Sequence, residues 1–241
     1  MVDFYGLSDK GCVRSNNEDA YGWAPELGLY ILADGMGGAN AGERASQLAV
    51  QTVIDSIRTS EHGGVESLIK ALEQANHRVL SVAKGDKSLE GMGTTLVAAL
   101  VEDDAVRIAS VGDSRAYMLQ NGTFCAVTED QSWVHEVGRV MGLDEATLRS
   151  HPLRHVLTMA IGAGAKLIVN RYSVDWKPGS TLLLCSDGLH GVVHPEKLEE
   201  ILRQGAESGT SLKDVCERLV QASLAAGAPD NVTVVLLRWL E

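Results

Sequence analysis

The stretch Leu29-Tyr30-Ile31-Leu32-Ala33-Asp34-Gly35 joins five consecutive apolar residues to an aspartate and a glycine. A short apolar run that ends at a turn residue is typical of a strand buried on both faces. The carboxylate of Asp34 is therefore expected at the tip of a rigid strand. An aspartate beside a glycine can also simply close a turn, so the pattern gains meaning only where it recurs.

The same pattern recurs at three other places in the chain. Thr181–Cys185 runs into Ser186-Asp187-Gly188, the run 106–111 leads into Gly112-Asp113-Ser114, and Asp230-Asn231 stands directly before Val232–Trp239. Carboxylates that are held close together repel one another, and a bound cation is the simplest compensation. Because carboxylates and the carbonyls beside the glycines are oxygen donors, the pattern predicts Mg²⁺ or Mn²⁺ and disfavours zinc or copper.

The spacing of apolar residues predicts an α+β fold. Strands are expected over 29–33, 95–101, 106–111, 116–119, 167–174, 181–185 and 232–239. Asn121-Gly122 is typical of a tight hairpin turn, which implies antiparallel pairing. Helical periodicity covers 45–57, 65–80 and 212–220, and Pro195 suits the first turn of another helix. Grouped helices beside hairpins favour layers in a single domain, 1–241, with 130–166 as an inserted excursion.

Charge and composition argue against several classes of function. The 32 acidic and 21 basic residues give a net charge of −11, and aromatic residues make up only 5%. A nucleic-acid or anionic-membrane surface would need a basic face, so neither partner is expected. Cys125 and Cys185 lie in apolar runs and are predicted to be core thiols of a reducing compartment. Neither a signal peptide nor an apolar run of ~20 residues is visible, which predicts a cytoplasmic protein.

A polar stretch near the start, Arg14-Ser15-Asn16-Asn17-Glu18-Asp19, adds one cation and two acids. Alone, it fits a solvated loop with an internal ion pair. Beside a cluster of metal-binding acids it has a second interpretation. The guanidinium fork of Arg14 suits a phosphate group, and Glu18 and Asp19 could hold metal-bound waters.

Six short motifs together resemble the type 2C metal-dependent protein phosphatases and occur in the order typical of that family. They are Arg14-x-x-Asn17-Glu18-Asp19, Asp34-Gly35-Met36-Gly37-Gly38, Gly93-Thr94-Thr95, Gly112-Asp113-Ser114-Arg115, Ser186-Asp187-Gly188 and Asp230-Asn231. Each motif is weak by itself. The ordered set spans nearly the whole chain and is similar to the compact bacterial members of the family.

The resemblance implies a four-layer α/β/β/α sandwich, two antiparallel sheets flanked by helices, with a flap at about 131–164. It implies hydrolysis of phosphoserine and phosphothreonine esters in proteins by a hydroxide that bridges two metal ions. Arg14 would be catalytic by binding the substrate phosphate, while Glu18 and Asp19 would contact waters on the metals. The implied partners are phosphorylated proteins and a bacterial Ser/Thr kinase that the enzyme opposes, and a monomer is expected.

The resemblance also assigns the metal ligands residue by residue. Two ions, Mn²⁺ or Mg²⁺, would occupy the core site, with Asp34 bridging them and taking part in catalysis. Asp187 and Asp230 would complete the coordination of the first ion, and the carbonyl oxygen of Gly35 would be a ligand of the second. Asp113, together with Asp187, corresponds to a third and weaker metal site.

Two alternative functions and several departures from the family pattern stay open. The alternatives are a non-catalytic phosphoprotein-binding module of the same fold and a phosphatase for small molecules. Met36 stands where some members carry a histidine as general acid, so the proton donor to the leaving oxygen is unassigned. Met159 stands where relatives commonly have arginine, which leaves a phosphate contact from the flap unsupported. His151 and His155 are expected at the surface or a hinge, and His190 at the surface or a helix cap.

Overall fold

The apolar runs form two antiparallel sheets. The computed structural model describes residues 1–37, 41–60, 63–138, 140–144, 147–148, 151–207 and 209–240. In spatial order, the first sheet consists of β1 (Val2–Asp9), β11 (Val232–Trp239), β10 (Thr181–Cys185), β7 (Arg115–Gln120) and β8 (Thr123–Ala126). The second consists of β2 (Asp19–Ala24), β3 (Leu29–Met36), β5 (Leu96–Val101), β6 (Ala105–Val111) and β9 (Asn170–Asp175), with β4 (Gly93–Thr94) paired to β3.

Helices cover the outer faces of both sheets. They are α1 (Ala41–Arg58), α2 (Val65–Gly85), α3 (Asp187–His190), α4 (Pro195–Glu207) and α5 (Leu212–Ala225). The first two pack on the second sheet and the last two on the first. The N-terminus of α5 is capped by Ser211, whose Oγ accepts a hydrogen bond from the amide of Asp214, because the first turn of a helix leaves such amides unpaired. Short turns of 3₁₀ helix occur at Pro25–Leu27 and Lys87–Leu89.

Three apolar clusters fill the spaces between the four layers. The central cluster lies between the sheets, where Leu32 and Val97 of one sheet pack with Leu184 and Leu237 of the other. The other two join each sheet to its helices. Both faces of each sheet are therefore covered, which explains why the strands read as continuous apolar runs. The predicted arrangement of two antiparallel sheets flanked by helices is confirmed.

Most strand predictions agree with the structure. The hairpin between β7 and β8 is confirmed, and Asn121 and Gly122 have φ values of 50° and 73°, as a tight turn of this kind requires. Strands β1 and β2 were not predicted. The strand expected over 167–174 begins only at Asn170.

The cysteine prediction is wrong for Cys125 and right for Cys185. Cys125 is exposed because β8 is the edge strand of the first sheet and most of its side chains face solvent. Cys185 is buried in β10, and all four cysteines are free. No helix among the described residues has both the length and the apolar character to cross a bilayer.

The segment predicted as a flap connects β8 to β9 and is fastened at its base. Thr158 N donates to the Gln131 carbonyl at 3.0 Å, and Thr94 pairs with Ile161. Within it, Val134–Gly138 forms a short π-helical turn. Residues 139, 145–146 and 149–150 of this segment, and Gly38 of the Asp34 motif, lie outside the described residues. A flap function for 131–164 stays a prediction.

Candidate metal centre

Carboxylates from both sheets meet at one edge of the sandwich. Asp34, near the end of β3, is the cross-strand partner of Asp19, the first residue of β2. Asp187 begins α3 directly after β10, Asp230 precedes β11, and Asp113 follows β6. The charges of the other four carboxylates all raise the pKa of Asp34, so the structure brings the five together in one electrostatic cluster.

Burial and mutual repulsion raise the pKa of three of these carboxyl groups. Burial is the main cause at Asp19, and it raises the pKa of that group to about 7 even though two hydroxyls donate to it. Burial and the neighbouring carboxylates hold the pKa values of Asp34 and Asp113 well above the usual range. Burial acts in the same direction on Asp187, but the contact with His155 leaves the pKa of Asp187 lowered.

This donor set suits a hard divalent cation. Oδ1 of Asp19 and Oδ1 of Asp187 are buried without a hydrogen-bond partner among the described residues. Unpaired oxygens in a cluster of mutually repelling acids are the groups that a cation compensates best. In the part of the chain that the structure describes, no three side chains of His, Cys, Asp or Glu are arranged so that they alone could hold a metal ion. Water and backbone carbonyls would therefore complete the coordination, as is usual for Mg²⁺.

Two hydroxyl groups, of Thr233 in β11 and of Ser186 directly after β10, fix Asp19 in place. Its Oδ2 accepts hydrogen bonds from Thr233 Oγ1 at 2.6 Å and from Ser186 Oγ at 2.9 Å. Thr233 N also donates to Ser186 Oγ at 3.0 Å, and Ser186 N donates to the Thr233 carbonyl at 3.1 Å. Since Asp19 belongs to the second sheet, these bonds join the two sheets at the acidic edge.

Asn231 organises the loops around Glu18 and Gly35. Its Oδ1 accepts from Glu18 N at 2.8 Å, and its Nδ2 donates to the carbonyls of Lys10 and Asn16, each at 2.9 Å. The carbonyl of Glu18 in turn accepts from Gly35 N at 3.1 Å. A Cβ at position 35 would lie 2.2 Å from the carbonyl oxygen of Gly42, so the close approach of backbone segments requires glycine.

Arg14 is the cation at this edge. Its Nη2 donates to Asp230 Oδ2 at 2.7 Å, and about half of the side chain (52%) stays exposed. The hydrogen bond to Asp230 is the largest of the contacts that raise the pKa of Arg14, and the charges of Glu18 and Asp34 add to it. One arm of the guanidinium fork is thus fixed to the acidic cluster, while the exposed remainder faces solvent beside it.

A second layer of polar contacts supports Asp113. Arg115 forms a bidentate ion pair with Asp130, both distances being 2.7 Å, and its Nη1 donates to the Tyr117 hydroxyl at 3.0 Å. His190 Nε2 lies 3.0 Å from the Asp113 carbonyl oxygen. Burial lowers the pKa of His190 to about 4, which makes it a neutral donor to that carbonyl. His190 is thus partly buried at the end of α3, and its contact with the loop that carries Asp113 was not predicted from the sequence.

Several contacts around the acidic edge were not predicted from the sequence. His155 Nδ1 lies 3.8 Å from Asp187 Oδ2, although its side chain is largely exposed as expected. Gln131 accepts from Gly112 N through Oε1 and donates to the Ile168 carbonyl through Nε2, each at 2.9 Å. Neither residue has a local sequence signal, because each acts on a segment distant in the chain.

Comparisons with known proteins identify the family. The family model described as "Protein phosphatase 2C" matches residues 13–226. Serine/threonine phosphatase stp of Listeria welshimeri is 37% identical over 240 residues, which cover 95% of this chain and 93% of the relative. Serine/threonine protein phosphatase PstP of Mycobacterium tuberculosis is 36% identical over 241 residues, covering 98% of this chain and 45% of the relative.

A solved structure agrees with these sequence relationships. The crystal structure of a PstP catalytic domain in complex with two manganese ions superimposes with a TM-score of 0.86 and 31% identity. The match covers 100% of this chain and 99% of that chain. The resemblance drawn from the six motifs is thereby confirmed at the level of family and fold. This chain belongs to the protein phosphatase 2C family.

Proposed function

We propose that this protein is a metal-dependent phosphatase that hydrolyses phosphoserine and phosphothreonine esters in other proteins. The observation that carries the proposal is the carboxylate cluster of Asp19, Asp34, Asp113, Asp187 and Asp230, in which burial and the charges of the other four acids raise the pKa of Asp34. A cluster of this kind is costly unless a cation compensates it. The names of the relatives, which are serine/threonine phosphatases, and the manganese ions of the PstP structure support the same assignment.

The metal ligands remain as the motifs predict them. Asp34, the Gly35 carbonyl, Asp187 and Asp230 would hold two Mn²⁺ or Mg²⁺ ions, and Asp113 would contribute to a third. Bound divalent metal supplies Lewis acidity toward the phosphoryl oxygens and a water that is acidic enough to attack at neutral pH. The unpaired Oδ1 of Asp187 supports this choice of ligands.

The chain's own residues would orient the ester and the attacking water. The exposed guanidinium of Arg14 would bind two phosphate oxygens and stabilise the charge that develops on them. Asp19, held at one oxygen by Thr233 and Ser186, would keep its other oxygen free to accept a hydrogen bond from water on the ions. Glu18 would hold water beside the second ion, because its backbone is fixed between Asn231 and Gly35.

Substrates and cellular setting follow from the same proposal. Phosphorylated proteins would be the substrates, in line with the names of the relatives, and a bacterial Ser/Thr kinase would be the opposing enzyme. Residues 1–241 would act as one catalytic domain and as a monomer. The free cysteines support a cytoplasmic location, because a reducing compartment keeps thiols unpaired.

Hydrolysis of p-nitrophenyl phosphate and of a phosphothreonine peptide tests the proposal. We expect turnover with Mn²⁺, its loss with EDTA, and its return when Mn²⁺ is restored. Asp187→Asn should lower kcat by at least ~10²-fold, because it removes a metal ligand. Asp175→Asn is the matched control, since Asp175 is 74% exposed and paired with Lys177. Activity that survives chelation would refute the metal mechanism, and turnover of p-nitrophenyl phosphate without the peptide would refute the protein-phosphatase assignment.

A further inference from the structure

A large cleft opens beside the acidic edge. It has a volume of about 910 Å³, and Asp113 and Asp187 lie on its wall. Small-ligand sites span roughly 300–1,000 Å³, so the cleft far exceeds what a single phosphoryl group needs. Because it borders the proposed metal ligands, a polypeptide whose phosphorylated residue reaches those ligands would extend into it.

Several parts of the chain form the walls of the cleft. The segment that follows β8, through Asp130, forms one wall, and the segment 131–164 contributes Val134 and Leu148. Val193, in the turn after α3, and Pro195, the first residue of α4, complete the apolar lining. Apolar side chains from separate elements thus line a cleft whose wall also carries charged groups. This combination suits an extended peptide, whose backbone and apolar side chains contact the walls while charged side chains find partners at fixed points.

The charged groups that line the cleft are mostly engaged with one another. Arg115 is paired with Asp130, His190 contacts the Asp113 carbonyl, and His155 faces Asp187. The carboxylate of Glu129 is 75% exposed and lies 3.9 Å from His135 Nε2. A histidine balances a carboxylate only when it is protonated, so Glu129 keeps an exposed negative group on this wall, while the guanidinium of Arg115 is occupied by Asp130.

Arg154 is the exception. It lines the same cleft and is exposed, and its guanidinium has no carboxylate within ion-pair distance among the described residues. A guanidinium is charged at every physiological pH and forms its best contacts with carboxylates and phosphates. In a protein with a net charge of −11, an arginine that lies beside the candidate site and has no carboxylate partner among the described residues offers a specific point of charge complementarity to an acidic peptide.

We propose that the cleft binds the polypeptide next to the phosphorylated residue and that Arg154 selects an acidic side chain there. Arg154 would then be a specificity-determining residue, and the favoured substrates would carry glutamate or aspartate near the phosphorylated serine or threonine. This inference rests on the proposed phosphatase function. It adds the sequence class of the substrate, which neither the metal ligands nor Arg14 can determine, because they contact only the phosphoryl group.

A set of matched phosphothreonine peptides tests the inference. Each carries glutamate, alanine or lysine at one position within about four residues on either side of the phosphothreonine, and kcat/KM is measured with Mn²⁺. We expect at least one glutamate peptide to exceed its alanine counterpart by about 5-fold, the effect of one exposed charge pair. The difference should appear in KM, because the contact is made equally in the ground state and the transition state. It should shrink as salt is raised.

Variants identify the residue responsible, and the ratio between two peptides cancels any general change in activity. Arg154→Ala should bring the glutamate-to-alanine ratio within about 2-fold of one, Arg154→Lys should keep most of it, and Arg154→Glu should favour the lysine peptide. Arg58→Ala is the matched control with the same change in charge. Arg58 is 54% exposed, pairs with Glu26 and does not line the cleft, so the ratio should be unchanged.

The outcomes separate the two proposals. If the wild-type protein hydrolyses the alanine peptides but shows no preference for glutamate, the cleft inference is wrong and the phosphatase function stands. A preference that survives Arg154→Glu would also overturn the assignment to Arg154. If the wild-type protein hydrolyses neither the peptides nor p-nitrophenyl phosphate with Mn²⁺, the proposed function fails, and the inference fails with it.

Discussion

Replacing Asp34 by asparagine should abolish activity and yet stabilise the metal-free protein. Asp34 lies at the centre of the carboxylate cluster, and burial and the charges of Asp19, Asp187, Asp113 and Asp230 raise its pKa. Asparagine has nearly the same shape and no charge, and its amide can donate to a neighbouring carboxylate as a protonated Asp34 would. The substitution therefore removes repulsion while keeping the packing.

The size of the stabilisation can be worked out from Asp19. Its pKa rises from 3.8 to about 7 in the same cluster. Each pKa unit corresponds to about 1.4 kcal/mol, so a charge held there above pH 7 costs about 4 kcal/mol. Because the groups share this cost, we expect Asp34→Asn to raise the free energy of unfolding by about 2–4 kcal/mol at pH 8. For a chain of this size, that corresponds to an increase in Tm of roughly 5–15 °C.

The pH dependence has a definite sign. The pKa of Asp34 is higher in the folded chain than in the unfolded chain, so the folded state binds the proton more tightly. This contribution is fully present below about pH 4 and is lost as the pH rises through the folded-state pKa. The metal-free wild-type protein should therefore lose stability from pH 4 to beyond pH 7, where Asp19 also titrates, and Asp34→Asn should lose less.

Thermal unfolding with EDTA and with excess Mn²⁺, at pH 5.5 and pH 8, measures both effects. Mn²⁺ at a hundred times its Kd should stabilise the wild-type protein by about 2.7 kcal/mol and the variant much less. Asp175→Asn, at an exposed position, should stay within about 0.5 kcal/mol of wild type. If Asp34→Asn proved less stable than wild type in EDTA at pH 8, the electrostatic account of the cluster would be refuted.

Three further predictions concern Arg14, Asp19 and the core. Arg14→Ala should raise KM for p-nitrophenyl phosphate about 10- to 100-fold, because it removes a charge-assisted contact to phosphate. Arg14→Lys should recover only part of the lost affinity, and unchanged kinetics in Arg14→Ala would exclude a phosphate-binding role for Arg14. Thr233→Val removes the 2.6 Å bond to Asp19, so urea unfolding should show a loss of about 1–3 kcal/mol, and Mn²⁺ titration a weaker affinity. Leu183→Ala, at a fully buried position in β10, should cost about 2–5 kcal/mol in the same unfolding assay while the KM of the folded fraction stays unchanged.

The sequence predicted the strands and helices whose apolar residues are uninterrupted or regularly spaced. β1 and β2 were missed because glycines and partly exposed residues break their patterns. Gly6 shows why the break is needed: a Cβ there would lie 2.7 Å from the ring of Tyr21 and 2.8 Å from that of Trp23. The aromatic rings of one strand fill the space over the glycine of another, which no pattern within a single strand reveals.

The candidate site was predictable to the extent that its residues end strands. Three of its aspartates, Asp34, Asp113 and Asp187, directly follow an apolar run or come within two residues of its end, and Asp230 comes just before one. The local sequence therefore indicated all four. The residues that support them were not marked in this way. The bond from Gly112 N to Gln131 depends on how an irregular segment of the chain folds back on the sheet, and irregular segments have no periodicity to read.

The position of β11 in the first sheet determines when the candidate metal centre can form. β11 is the last of the described strands in chain order, yet it lies between β1 and β10, and Asp230 and Asn231 directly precede it. At a synthesis rate of roughly 5–20 residues per second, many seconds pass between the synthesis of β1 and that of its partner strand β11. Until β11 is in place, Asp19 lacks Thr233 and Glu18 lacks Asn231. A growing chain would therefore lack these supports of the site until β11 has paired with β1 and β10.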